Sequence, residues 1–208
     1  MRRRRVIVVT DPMCSWCWGM SSSVEEAAHA LRNEVDFDLL LGGINTHGTQ
    51  PVGAYGRRHL LHIWREVHAT TGQIFKNAIP EGLVYNSTLP CIALEAVRQR
   101  SGSPPFGFLH RLQQCLFVEG VNINNPVLLD RLAEEFGWES GELAQALRDP
   151  DLIEAVLGQF DSSRNYGTNA LPNVLWEVDG MRKLLFGGYA DSSTMIQLVR
   201  DVFARIDG

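Results

Sequence analysis

Cys14 and Cys17 stand two residues apart in the stretch Asp11 to Gly19, Asp-Pro-Met-Cys-Ser-Trp-Cys-Trp-Gly. Thiols at that spacing exchange with disulfides, supply half of a zinc site, or pack as small apolar side chains. Exchange needs a thiolate at one sulfur and a second thiol near enough to close or resolve a disulfide with it. The flanking sequence supplies that setting. Val6 to Val9 is a β-branched apolar run that reads as a buried strand, and Met20, Val24, Ala27, Ala28 and Leu31 recur at the spacing of one helix face. The pair sits where a strand hands over to a helix. The unpaired N–H groups and positive dipole end of that first turn stabilise a thiolate at Cys14, with Cys17 one turn on.

The other readings stay open on the residues alone. Zinc needs two more ligands; Cys91 and Cys115 form no second close pair, although one of six histidines could complete a site in space. Cys91 lies beside Ile92 and Leu94, and Cys115 beside Leu116 and Phe117, so both are expected as buried free thiols. A disulfide between them, or a second redox couple, is also compatible with the sequence.

A chain of 208 residues, 45% hydrophobic and 21% charged, can bury a proper core without staples. Its net charge of -5 argues against a nucleic-acid partner, and no stretch approaches the roughly 18 apolar residues of a membrane span. Arg2 to Arg5 are expected as a disordered, solvated terminus, because the apolar run after them is too short for a signal peptide. The chain as given is expected in the cytoplasm, where a C-x-x-C is more often catalytic than structural; a natural leader ahead of Met1 would cancel that expectation. Oligomeric state is not legible.

After a first helix ending near Asn33, Val35 to Leu41 reads as a second buried strand stopped by Gly42 and Gly43, giving a parallel βαβ unit. From Arg57 the pattern turns helical: Arg57 to Thr71, Ser87 to Arg100, Phe106 to Glu119, Pro126 to Phe136 and Gly141 to Arg148. Pro150 interrupts it, and Asp151 is expected to open a helix, Leu152 to about Phe160, that runs toward Tyr166 and Gly167. Asn173 to Val178 and Arg182 to Phe186 flank Asp179-Gly180, a two-residue hairpin signal, and a last helix capped by Ser192 or Ser193 runs to Ile206. The fold class is therefore α/β, a βαβ…ββα sheet domain (1–50 and 151–208) with an inserted all-helical subdomain (51–150).

That order, with a C-x-x-C at the first helix and a proline before the late hairpin, resembles the thioredoxin fold. The helical block resembles the insertion of the DsbA-like thiol-disulfide oxidoreductases, and Asp-Pro-Met-Cys-Ser-Trp-Cys-Trp-Gly is similar to the motif of that family's protein-disulfide isomerase branch. The resemblance implies that Pro172, in Ala-Leu-Pro-Asn-Val-Leu-Trp, is a cis-proline facing the sulfur pair. It would expose the backbone of Leu171 to a substrate peptide and keep metal from the thiolate. Two departures matter. Many relatives carry a buried acid nine residues before the second cysteine, where this chain has Val8, so proton transfer needs water or another group. Ser15 and Trp16 replace the histidine of strongly oxidising members, which implies a milder oxidant.

The leading expectation is a cytoplasmic thiol-disulfide oxidoreductase with Cys14 attacking and Cys17 resolving. Trp16, with Met13 and Trp18, would form the apolar contact surface, and protein or small-molecule disulfides would be the substrates. No cofactor is required beyond the cysteine pair; glutathione enters as a co-substrate. The alternatives are a glutathione-dependent isomerase or transferase, against which the retention of both cysteines argues, and a non-enzymatic peptide-binding or metal-binding redox module.

Overall fold

Val6, Ile7, Val8 and Val9 form the centre of β1 (Arg4–Thr10), and all four are buried, as befits a strand covered on both faces. The computed structural model describes residues 4–166 and 170–207. After β1 come α1 (Ser15–Ala30) and β2 (Asp36–Leu41). Six helices follow: α2 (Ala54–Thr71), α3 (Thr88–Ser101), α4 (Phe106–Gln114), α5 (Pro126–Glu134), α6 (Glu142–Ala146) and α7 (Pro150–Ser163). The chain closes with β3 (Asn173–Val178), β4 (Met181–Gly187) and α8 (Ser192–Asp207).

The strands form one sheet in the order β2-β1-β3-β4, with β1 parallel to β2 and antiparallel to β3. Val6 and Val8 point with Val174 and Trp176 toward α1 and α8, while Ile7, Val9, Leu40 and Leu175 make a cluster on the other face. Met13, Trp18, Leu39 and Leu41 join a third cluster with the residues of α2 to α7, so sheet and helical block share buried surface. The β3–β4 turn places Asp179 at φ 51° and Gly180 at φ 81°, the doubly positive geometry that Asp-Gly favours.

Several local expectations need correction. Arg4 and Arg5 are not a solvated tail: they open β1, where Arg5 pairs with Asp38 at 3.3 Å and Glu177 at 2.5 Å; Arg2, Arg3 and Gly167 lie outside the described residues. Pro150 starts α7 rather than interrupting a pattern, because Asp149 caps the helix by accepting from the Asp151 amide, and proline needs no N–H at the first position. The expected helix from Phe106 to Glu119 stops at Gln114 and widens into a π-helical turn, Cys115–Glu119, closed by Gly120. The cap of α8 is Asp191, not a serine: its carboxylate accepts from the Thr194 amide at 2.7 Å. Asp can cap as well as Ser, and the sequence carries all three in a row.

The glycine pair after β2 joins the fold to the site. Gly43 has φ +70°, and a Cβ there would stand 2.6 Å from the Phe160 ring on α7. Gly43→Ala is expected to cost about 3 kcal/mol, from the left-handed backbone plus overpacking. A denaturant midpoint equal to wild type would show instead that α7 yields.

Candidate functional site

β1 ends at Thr10, and the loop Asp11 to Cys14 turns the chain into α1 with Cys14 as its N-cap. The Cys17 amide donates to Cys14 Sγ at 3.1 Å, so a backbone dipole points at that sulfur. All four cysteines are free thiols. Cys17 is the reluctant acid: burial first, then contact with Cys14 and the charge of Asp11, push its thiol well above the ordinary range, against a smaller opposing effect of the Thr10 hydroxyl.

Cys14 and Cys17 are nearly equally covered, 6% and 5% exposed, so accessibility alone does not separate them. Cys14 opens onto a cleft of about 430 Å³ that Trp16, Tyr85, Arg164 and Leu171 also line. The Leu171-Pro172 peptide is cis, and Leu171 reaches the cleft wall from the start of β3. Trp16 is half-buried and leans on Tyr189, whereas Pro172 is buried. The cleft thus brings together Cys14, Trp16 and Leu171 from opposite ends of the chain, while Cys17 and Pro172 are not among its walls. Met13 and Trp18 are in the core instead of forming a contact surface: Met13 is 0% exposed, and Trp18 donates its indole N–H to the Ile74 carbonyl at 3.1 Å. An apolar residue between a strand and a helix is as readily folded inward as outward, and the motif alone cannot say which.

Sequence reasoning missed the residue that holds the loop. Asp11, fully buried, accepts from the Met13 amide at 2.7 Å, the Ile44 amide at 3.1 Å and the Ser87 hydroxyl at 2.5 Å, with the Cys91 thiol at 3.7 Å. Tyr85 adds a bond to the Met13 carbonyl at 2.5 Å. The acid stands six residues before Cys17, not nine, and its sequence signal is the Asp-Pro step beside the motif. Burial raises the Asp11 carboxyl to about 6 from 3.8, and its donors offset only part of that.

The sign of the stability effect follows. The folded chain holds the Asp11 proton to higher pH than the unfolded chain, so this group's contribution falls as pH rises from about 4 to about 6, by about 3 kcal/mol. Asp11→Asn carries no such term, and its stability relative to wild type is expected to improve by that amount between pH 4 and pH 7. Urea unfolding of both proteins at the two pH values tests it; a constant difference would place the carboxyl near its ordinary value.

Among the described residues no three His, Cys, Asp or Glu side chains gather as a metal site, and no helix is long and apolar enough to cross a membrane. Cys91 and Cys115 are both buried, the first beside Asp11 and the second 3.0 Å from the Arg111 guanidinium.

A candidate protein disulfide isomerase from Nitrosomonas europaea superposes with TM-score 0.88 at 26% identity, covering 99% of this chain and 100% of that one. The cytosolic disulfide reductase DsbM from Pseudomonas aeruginosa, also solved with GSH, has TM-score 0.72 at 23% identity, covering 98% of each chain, which shows the fold. The ClpXP adapter protein SpxH of Halalkalibacterium halodurans is 20% identical over 199 residues, 92% of this chain; the chain spans 65% of that relative's length. The model of the DSBA-like thioredoxin domain matches residues 5–192, and with that span the chain belongs to this family.

Proposed function

We propose that the protein is a thiol-disulfide oxidoreductase whose working groups are Cys14 and Cys17. One observation carries the reading: Cys14 is the helix cap at an open cleft, with an amide on its sulfur, and Cys17 is one turn behind it. The Cys14 thiolate attacks a substrate disulfide, forming a mixed disulfide and expelling one thiolate, which takes up a proton. Cys17 then loses its proton and attacks Cys14 Sγ, releasing the second substrate thiol and leaving the Cys14–Cys17 disulfide; two electrons have passed to the substrate. The reverse sequence oxidises a dithiol.

Trp16 and Leu171, both on the cleft wall, would hold the substrate. Asp11 is a positioning residue: it fixes the loop that aims Cys14, and its charge adds to the burial and the Cys14 contact that hold the Cys17 proton. Protein and small disulfides are the substrates, with glutathione as co-substrate and the reductive direction in the cytoplasm. The likeness to a cytosolic reductase solved with GSH supports that choice.

The test is insulin reduction with dithiothreitol as electron source, together with titration of the cysteine pair against glutathione. Insulin precipitation well above the uncatalysed rate and a potential at the reducing end are expected. A wild-type protein that neither accelerates precipitation nor exchanges with glutathione disulfide sinks the reading. The similarity to SpxH favours a second one, a binding module using the same cleft without turnover.

A further inference from the structure

The two sulfurs open onto different cavities. Cys14 lines the front cleft and Cys17 does not. Cys17 lines a separate cavity of about 380 Å³ on the other flank of α1, bounded by α1, α4 and β1, and Cys14 is not among its walls. Val8, Ala28, Phe106 and Leu109 give that cavity its apolar sides.

In the proposed chemistry Cys17 must lose a proton before it attacks, and the structure offers few places for it. Val8 supplies no acid. Asp11 is shut in: its two oxygens already face the Met13 and Ile44 amides, the Ser87 hydroxyl and the Cys91 thiol, so a proton received there displaces a donor and has no way out. The front cleft is filled at that moment by the departing substrate.

The rear cavity has polar groups at its Cys17 end and a polar mouth. The Thr10 hydroxyl interacts with the Cys17 sulfur and lines the same space. Gln113, 1% exposed, lines the same space and donates its amide to the Asp11 carbonyl at 3.3 Å. A thiol, a hydroxyl and a side-chain amide give an ordered water the two to four polar partners it needs. His110 and Glu25, both exposed, stand at the opening.

We propose that the resolving thiol exchanges its proton with solvent through this rear cavity, so that substrate and proton use opposite flanks of α1. The inference rests on the exchange chemistry proposed above. Cys17 S–H gives its proton to water in the cavity and thence to bulk base; the Cys17 thiolate bonds to Cys14 Sγ; the bond from Cys14 to the substrate sulfur breaks, and that thiolate leaves by the front.

Rapid mixing of pre-reduced protein with bis(2-hydroxyethyl) disulfide and acid quenching resolves the two steps, and absence of any thiol oxidation would count against the parent reading rather than this one. Ala28→Leu, which fills the rear cavity from α1, is expected to lower the ratio of the resolution constant to the attack constant roughly ten-fold, within the range of a positioned proton transfer. Wild type needs no variant for its own arm: at fixed pH and ionic strength, imidazole should raise the resolution constant in proportion to its concentration, and Ala28→Leu should flatten that slope. A ratio within about a factor of two of wild type, no imidazole slope in wild type, or a slope that persists in Ala28→Leu overturns the proposal.

Discussion

Cys14→Ser is expected to lose disulfide exchange, with insulin reduction falling roughly 10³-fold or more, because a serine hydroxyl has no accessible oxyanion at neutral pH. The fold should survive. Cys14 is the N-cap of α1 and accepts the Cys17 amide through its sulfur; serine is among the best N-cap residues and accepts the same N–H through oxygen. Thermal midpoints of the two proteins should therefore agree within a few degrees while activity disappears. Retained turnover in a folded Cys14→Ser protein would assign the chemistry elsewhere, with Cys91 beside Asp11 the first thiol to examine.

Cys17→Ser should fail differently. The first attack leaves substrate covalently on Cys14, and no thiol at position 17 can displace it, so the protein consumes one equivalent and stops. With no external thiol present turnover ends there, and intact-mass measurement after glutathione disulfide should show a single glutathione adduct that dithiothreitol removes. Catalytic turnover without an adduct would mean that a second molecule, not Cys17, resolves the intermediate. The asymmetry between the two variants is the signature of ordered roles; symmetric inactivation without adducts would point to a structural pair.

The legible and illegible parts divide by range. β1, the βαβ unit and the Asp179-Gly180 hairpin depend on short patterns, alternation and turn chemistry, and these elements lie where periodicity places them to within a few residues. The cis peptide at Pro172 was accessible only through family resemblance, since no local rule links that proline to a cysteine pair at the other end of the chain. The Asp11 contacts with Ile44 and Ser87 were beyond reach: nothing in a serine's neighbours says that it will face a carboxylate across a helical block. The inward turn of Met13 and Trp18 was undecidable for the same reason, because their cavity is built by α2 to α7. Arg4 and Arg5 were misread because a basic run looks the same whether solvated or paired; their partners sit on β2, β3 and α8.

The anchoring of Asp11 bears on the order in which the protein is made. The thiols are synthesised before the amide of Ile44 and the hydroxyl of Ser87 that steady their loop, and Ser87 follows Asp11 by 76 positions. A growing chain therefore presents an unsupported dithiol to its surroundings until the third helix has emerged. Whatever oxidant or electrophile reaches a ribosome-bound chain meets these sulfurs before the fold has given them a direction.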